Sequence, residues 1–509
     1  MNCFVALALT FAVGPALCAD PAGWIPARWE GGPLELSRRA NDKTEDASVR
    51  TTIGRWYDPA TLDLLEGTPI NCLLVTFSAG AESEVERKQH QLVKEYARLA
   101  HKRGISVLGI VYGGDPQAIA AAALDAGLDG LAVQGGVPEK LEAALRANGS
   151  TALVIPIARD AAAARTSKAR LLAVEGVRPS ARNLADEGIR AGASDEPWID
   201  SNIWLVRSFR LEAAWRPIWI DQRPNPTSEG DYVRCVADAA LAGGRWIVAL
   251  DDELRASLLR KDPHALAAWR TIGTYLKFAE DHGEWRGFAP YGNLGIILDT
   301  AGENPDISDE YLNLVARRQV PYRLVSRCDL SAASLASFRA VLVVDLASPT
   351  EAERSVLRGF AENGGLLMAG PWWGDGAAKN EPYAELPLGK GRVAIYKEDP
   401  PNPEGVARDL LDLLEPEVMG LSVFNVPTAI SYASTSDSGK RVLVQLLNYA
   451  GRPIERVTLR FNGIFKVARF YTPESPPMDL APRPAANGRT EVLIPKLAAW
   501  GAVLLEQPN

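Results

Sequence analysis

Short apolar runs alternate with longer amphipathic stretches from about residue 68 to residue 281. The runs at 71–77 and 105–112 have the length of strands, and the stretch at 82–104 between them has the apolar spacing of a helix. Strands that are apolar throughout and joined by helices are typical of a parallel sheet covered on both faces. The pattern therefore predicts a series of β/α units.

Seven such strands can be counted, and an eighth is expected near 188–192 or directly after the last long helix, at 263–281. Eight units of this length fit a (β/α)8 TIM-like barrel. An open doubly wound sheet is the alternative, but none of the first three βα turns carries the G-x-G-x-x-G phosphate cradle of that fold. We therefore predict an α/β fold with a barrel domain over 20–290.

Two further patterns follow the barrel. A second series of strands and helices predicts a smaller Rossmann-like α/β domain over 291–400. Beyond residue 401 helices no longer separate the strands, which predicts a small antiparallel β-sandwich over 401–509. The Pro-rich stretch at 473–484 is expected to be a loop of this last domain.

The first 19 residues have the pattern of a secretory signal peptide. An apolar run at 4–13 is followed by small residues, and it is too short to cross a membrane as a helix. No Lys or Arg precedes the run, and Cys18 offers a lipoprotein alternative in which Leu17 stands where a small residue is expected. No later run is long enough for a membrane helix, so a secreted or periplasmic location is predicted.

Composition removes several classes of function. The chain has 55 Lys and Arg against 63 Asp and Glu, a net charge of −8, so no basic surplus exists to bind nucleic acid. Its four histidines lack metal-ligand spacing, and neither a G-x-S-x-G elbow nor a P-loop is present. Cys72, Cys235 and Cys328 are expected to be small buried hydrophobes rather than a disulfide framework. What remains is carboxylate chemistry without a metal or an organic cofactor.

Barrel active sites lie at the carboxyl ends of the strands, which limits the candidate residues. The polar side chains at those positions are Tyr112, Gln134, Glu175, Asp221 and Asp251. Cleavage of a glycosidic bond needs two carboxyl groups, one protonated as the acid and one ionised as nucleophile or base. These positions therefore predict a glycosidase-type site at the mouth of the barrel.

We assign Glu175 as the general acid, because it ends a buried strand between apolar neighbours and has no helix to cap. Asp221 is its predicted partner, held ionised by Arg223, and Asp251 is the reserve. Structural roles are open for all three. Asp251 could cap the helix that follows it, Asp221 could serve only to pair with Arg223, and Glu175 could be a solvated loop residue.

A helix is expected to begin near Pro197 and to present Trp198 and Asn202 near a strand end. An exposed indole could stack on a sugar ring while the amide meets sugar hydroxyls. Tyr112, Gln134, Trp198 and Asn202 are therefore the predicted substrate-binding residues. For Trp198, packing against the barrel is the alternative.

The order of barrel, Rossmann-like domain and β-sandwich resembles the beta-galactosidase type of glycoside hydrolase, which has a trimerisation domain after its barrel. The closest local match is 293–396, where Gly-Lys-Gly-Arg-Val at 389–393 precedes the last strand. The resemblance implies an oligo- or polysaccharide substrate, a homo-oligomer and an inert middle domain, since no Cys follows the strand at 340–346.

The barrel departs from that family at the end of its predicted fourth strand. Residues 155–160 contain no Asn-Glu pair there, so the family's acid and nucleophile cannot be assigned to positions of this chain. A non-catalytic carbohydrate-binding or scaffold protein on a degenerate glycosidase barrel is therefore the alternative function.

Overall fold

The structure is a computed structural model. It describes residues 20–40, 47–182, 198–213, 216–222, 228–300, 302, 305–374, 381–399, 401–436 and 438–507. The predicted signal peptide and the 188–192 strand candidate lie outside the described residues.

Eight parallel strands form the predicted barrel. In chain order they are β1 (Pro26–Arg28), β2 (Cys72–Ala79), β3 (Ser106–Gly113), β4 (Gly130–Val133), β5 (Leu153–Ala158), β6 (Leu172–Glu175), β7 (Ile218–Asp221) and β8 (Arg245–Trp246). Each strand pairs with the next, and a parallel bridge between Ala27 and Val248 closes the ring. The fold-class prediction is confirmed.

The strand that completes the barrel is the N-terminal β1, so the expectation of an eighth strand after the last helix is wrong. β1 contains only Pro-Ala-Arg and has no apolar run, which is why the pattern did not reveal it. Its neighbours fix it instead: the Arg28 amide donates to Val248 O at 2.8 Å, and the Trp29 amide donates to Leu74 O at 2.7 Å.

Helices cover the outside of the barrel and supply the connections. The α-helices are Gly32–Arg38, Ala47–Arg55, Ser83–His101, Pro116–Ala126, Pro138–Ala147, Ala161–Thr166, Ile203–Glu212, Glu229–Leu241, Asp252–Leu259 and Pro263–Asp281, with 3-10 turns at Pro21–Gly23, Pro59–Leu65 and Gly283–Gly287. A short antiparallel hairpin pairs Ser180–Arg182 with Trp198–Asp200.

The barrel interior is filled by side chains two residues apart along each strand. This interior core includes Leu74, Ile110, Ala132, Ile155, Ala173 and Trp219, all buried. Because apolar side chains fill the interior, a polar side chain can face the barrel axis only near the strand ends. The alternation therefore determines which strand-end residues face the barrel axis.

The second α/β unit is a six-stranded sheet. Its order is Tyr322–Ser326, Leu294–Leu298, Ala340–Val343, Leu366–Ala369, Gly391–Tyr396, Tyr383–Leu388. The last pair is an antiparallel hairpin, and the others are parallel. Gly389 lies in its turn with φ of +60°, where a Cβ would stand 2.6 Å from Glu362 O. The first glycine of the Gly-Lys-Gly motif is thus required by both φ and close packing.

Helices and 3-10 turns accompany this sheet. They are Pro305–Arg317, Ala332–Leu335, Glu351–Glu362, Pro403–Leu413 and Pro416–Met419 as α-helices, with 3-10 turns at Arg327–Asp329 and Pro371–Trp373.

Two antiparallel sheets at the C-terminal end share one apolar core. One has the order Ala289–Pro290, Ala429–Thr435, Arg441–Asn448, Trp500–Glu506, Val467–Thr472, Ser475–Leu480, and the other Leu421–Phe424, Ile454–Asn462, Arg489–Leu497, Arg483–Ala485, with a 3-10 turn at Ala486–Gly488. The β-sandwich prediction is confirmed.

The prediction that 473–484 is a loop is wrong. Ser475–Leu480 is a strand, and Arg483–Ala485 is another. Both are edge strands, where a proline's missing N–H breaks no hydrogen bond to a neighbouring strand. The prolines therefore marked sheet edges rather than a loop.

Cys72 and Cys235 are buried free thiols as expected, but Cys328 is exposed. It lies between two charged residues in the short 3-10 turn Arg327–Asp329, where no side chain is buried. Within the described part of the chain, no helix combines the length and apolar composition that crossing a membrane requires.

Candidate functional site

The two predicted carboxylates end neighbouring strands of the barrel. Glu175 of β6 is paired in register with Asp221 of β7. Side chains at paired positions of parallel strands lie on the same face of the sheet, and both residues are two positions beyond interior side chains, Ala173 and Trp219. Glu175 and Asp221 therefore lie side by side above the apolar interior.

Arg28 of β1 connects the polar groups of this layer. Its Nε donates to Asp221 Oδ1 at 2.8 Å, and its Nη2 donates to Asp221 Oδ2 at 2.5 Å and to Gln134 Oε1 at 3.3 Å. Its Nη1 lies 3.1 Å from Glu30 Oε1. We call this group, together with Tyr112 and Glu175, the mouth cluster.

The Arg28–Asp221 pair is buried, with 5% and 3% of each residue exposed. Burial acts to lower the pKa of Arg28, but the charges of Asp221 and Glu30 overcome it and raise that pKa well above its ordinary value. Arg28 is therefore a permanent cation, and it donates to both oxygens of the Asp221 carboxylate. The predicted partner, Arg223, lies outside the described residues.

Glu30 and Tyr112 form the other side of the cluster. The Tyr112 hydroxyl donates to the Glu30 carboxylate. The guanidinium of Arg38 lies 4.2 Å from the centroid of the Tyr112 ring. Arg38 is in turn held by an ion pair with Glu35 at 2.7 Å. The phenol is thus fixed both by its hydroxyl and by its ring face.

Glu175 does not have the apolar surroundings predicted for it. Its side chain is exposed, and Gln134 Nε2 lies 3.5 Å from its Oε1. The apolar neighbour Val174 is directed to the opposite face of the strand, into the main core. The strand alternation that turns Glu175 toward the mouth also turns Val174 away from it.

The helix predicted to begin near Pro197 begins at Ile203 instead. Residues Trp198–Asp200 form a strand paired with Ser180–Arg182, so the preceding segment is extended. Pro197 itself lies outside the described residues. The strand Trp198–Asp200 therefore occupies positions that the sequence predicted to lie in the first turn of this helix.

Asn202 is buried, and its side chain is engaged within the protein. Its amide donates to Val177 O and to Asp238 Oδ2, both at 2.9 Å, and its Oδ1 accepts from the Val177 amide at 2.8 Å. It fixes the loop that follows Glu175. The amide predicted to meet a sugar is thus a positioning group for the mouth cluster.

Trp198 contacts the second α/β unit. The Arg317 guanidinium lies 4.9 Å from the centroid of its ring, and its indole N–H donates to Asp200 Oδ1 at 3.0 Å. One ring face is therefore covered by a cation. This placement agrees with the packing alternative rather than with an exposed platform for sugar stacking.

Asp251 caps a helix. Its Oδ1 accepts from the Leu254 amide at 2.8 Å, and its Oδ2 accepts from the Tyr232 hydroxyl at 2.5 Å. The helix begins at Asp252, so the capping role anticipated for this residue is present.

Arg28 and Glu30 are the residues that sequence reasoning missed. Both follow from the unrecognised strand β1, since Arg28 ends it and Glu30 comes two residues later. A usable signal was the pair of tryptophans at 24 and 29, both buried, which flank this short segment. In the described ranges, no three His, Cys, Asp or Glu side chains are grouped to hold a metal ion.

The solved structures that resemble nearly the whole chain include two with TM-scores above 0.5. An alpha-L-fucosidase isoenzyme 2 from Paenibacillus thiaminolyticus has a TM-score of 0.56 at 11% identity, covering 95% of this chain and 100% of that chain. A catalytic mutant of a GH42 beta-galactosidase from G. stearothermophilus has a TM-score of 0.52 at 10% identity, covering 96% and 99%. No protein-family model and no curated protein matches the chain. The likeness shows a glycoside hydrolase-like barrel fold and confirms the architectural resemblance predicted from the domain order.

Proposed function

We propose that this protein hydrolyses glycosidic bonds of an oligo- or polysaccharide at the mouth of its barrel, with Glu175 as the general acid and Asp221 as the ionised partner. The observation that carries the proposal is the register pair Glu175–Asp221. An exposed carboxyl group beside a buried one that accepts two hydrogen bonds from Arg28 supports two-carboxylate catalysis.

The proposed roles follow from the two environments. In the proposed step the Glu175 carboxyl group gives its proton to the leaving oxygen as the glycosidic bond breaks. A water molecule then adds to the anomeric carbon and gives a proton to the Glu175 carboxylate, which restores the acid. The Asp221 carboxylate, fixed by Arg28, stabilises the positive charge that develops on the sugar ring. Tyr112 and Gln134 border this position and are the proposed sugar contacts.

One observation favours the second candidate, a carbohydrate-binding protein without turnover. Both oxygens of Asp221 accept hydrogen bonds from Arg28, and the two oxygens of Asp251 accept from the Leu254 amide and from the Tyr232 hydroxyl. A carboxylate engaged in this way is a weaker nucleophile or base. The mouth cluster would then recognise a sugar and leave its bond intact.

A panel of aryl glycosides and plant or bacterial polysaccharides separates the two candidates. Release of aryl alcohol or reducing ends by the full chain supports hydrolysis. Saturable binding of a polysaccharide in calorimetry without any release supports the binding protein. If no member of the panel is either hydrolysed or bound, the proposal of a carbohydrate site is overturned.

The location, domain limits and assembly belong to the same proposal. We propose a secreted or periplasmic protein with domains over 20–290, 291–400 and 401–509, assembled as a homo-oligomer. Amino-terminal sequencing of the exported protein tests whether the predicted signal peptide is removed. Limited proteolysis tests the domain limits, and light scattering tests the homo-oligomer. Cuts confined to the barrel strands would contradict the domain limits.

A further inference from the structure

A cavity of about 650 Å³ lies where the barrel, the second α/β unit and the C-terminal sandwich meet. Its walls come from helix Ile203–Glu212, the segment 286–290, strand Tyr322–Ser326 and Tyr432. This volume is in the range of small-molecule sites. No residue of the mouth cluster lines it, so it is a separate place in the molecule.

The walls of this cavity are strongly cationic. Asp329 is the one acidic residue among the lining side chains that the structure describes, and it stands against four arginines, Arg207, Arg210, Arg286 and Arg323. The chain as a whole has a net charge of −8, so a concentration of positive charge here is a local property of the cavity.

Each of the four arginines donates to a backbone carbonyl oxygen, Arg286 to Ala279 O at 3.2 Å. Arg207 Nη2 donates to Tyr322 O at 2.5 Å, and Arg323 Nε donates to Gly292 O at 2.8 Å. Arg210 donates to Gly243 O at 2.6 Å. A carbonyl oxygen is a neutral acceptor, so these bonds orient the guanidinium groups without cancelling their charge.

The remaining cationic neighbours add to the charge. Arg286 and Arg245 both form ion pairs with one carboxylate, Glu280, so this triad retains a net positive charge. Burial, followed by the like charges of Arg286 and Arg245, lowers the pKa of Arg210. Repulsion among these cations is therefore a cost that a bound anion would relieve.

Aromatic rings hold two of the guanidinium planes in place. Arg207 lies 3.6 Å from the Tyr322 centroid and 5.2 Å from the Tyr432 centroid, and Arg323 lies 4.1 Å from the Phe338 centroid. A guanidinium fixed in this way loses little conformational freedom when it binds an anion. The planar, forked donor groups of these arginines are thus held in place before an anion binds.

We propose that this cavity binds a small organic anion through a phosphate or carboxylate group, with Arg210 and Arg323 as the main recognition residues. Phe288, Phe338 and Tyr432 would contact the body of the ligand. This inference does not depend on the proposed hydrolysis at the barrel mouth.

Calorimetric titration of the full chain tests the inference with three probes: inorganic phosphate, glucose 6-phosphate and glucuronate. We expect saturable binding of at least one probe, weakening as salt is added. Comparison of glucose 6-phosphate with glucuronate tells a phosphate site from a carboxylate site. Arg210→Gln and Arg323→Gln should each weaken binding about tenfold or more, because each removes a charged donor.

Matched variants separate this site from other effects. Arg98→Gln removes an exposed helical arginine outside the cavity and should leave binding unchanged, as should Glu175→Gln at the barrel mouth. Arg323→Lys retains the charge and should bind more weakly than the parent but more tightly than Arg323→Gln. Thermal melts verify that each variant is folded. Absence of binding for all three probes, or binding that survives both glutamine substitutions, would overturn the proposal.

Discussion

Arg28 and Asp221 form a bidentate ion pair across the seam at which the barrel closes. Arg28 ends the first strand and Asp221 ends the seventh, and the strand between them, β8, is only two residues long. Where few backbone hydrogen bonds hold the sheet together, this buried pair joins its two sides. Asp221 is also the proposed partner of Glu175 in the active site.

Replacing Arg28 tests that structural role. Arg28→Met leaves the Asp221 carboxylate buried without its cation, so the free energy of unfolding should fall by about 3 kcal/mol or more in chemical denaturation. The matched control is Arg55→Met, which removes an exposed ion pair with Asp58 and should cost less than about 1 kcal/mol. Equal, small losses for the two variants would show that the seam does not depend on this pair.

Gly176 tests how tightly the loop after Glu175 is packed. A Cβ there would stand 2.5 Å from Asn202 Oδ1 and 2.5 Å from Ile220 Cγ2, so Gly176→Ala must displace the loop. We expect a loss of about 1–3 kcal/mol in unfolding free energy. Gly287→Ala is the control, because a Cβ there meets open space. A Gly176→Ala protein as stable as this control would contradict the packing described.

Asp345 gives a prediction of pH dependence. Burial, reinforced by Asp299 and Asp399, raises its pKa to about 6 in the folded protein. The folded state therefore holds this proton more tightly than the unfolded chain, so its contribution to stability is full below about pH 4 and is lost as the pH rises through 6. The loss should be about 1 kcal/mol, because solvent screens a partly buried carboxyl group.

The contribution of Asp345 is measured by comparing the unfolding free energies of Asp345→Asn and the parent from pH 4 to pH 7. The unfolding free energy of Asp345→Asn should not show the parent's fall between pH 4 and pH 7. Asp412→Asn, at an exposed carboxylate, should show the same fall as the parent. A parent and an Asp345→Asn protein with parallel pH profiles would contradict the raised pKa.

The fold could be predicted where hydrophobic periodicity carries the structure. Long buried strands such as β2 and β3 leave continuous apolar runs, and these gave the barrel. β1 could not be found in this way, because tertiary pairing with β2 and Val248 holds three residues that have no pattern of their own. The edge strand Ser475–Leu480 escaped because its prolines are tolerated only at a sheet edge, which the sequence alone does not reveal.

The candidate site could be predicted in part for the same reason. Counting strand ends found Tyr112, Gln134, Glu175 and Asp221, since the alternation of a strand fixes which face its last residue occupies. The partner of Asp221 is 193 residues away in the chain, so local spacing carried no information about Arg28. Asn202 was misassigned because its contacts, to Val177 and Asp238, are likewise non-local.

The most direct test of the account is kcat/KM for Glu175→Gln on the glycoside that the parent hydrolyses. Removing the general acid should lower kcat/KM by about 10²–10⁴-fold, with the thermal midpoint nearly unchanged, because Glu175 is exposed. Glu66→Gln, at another exposed carboxylate, should behave as the parent. A Glu175→Gln protein that hydrolyses the glycoside as fast as the parent would contradict the assignment of Glu175 and, with it, the proposed site.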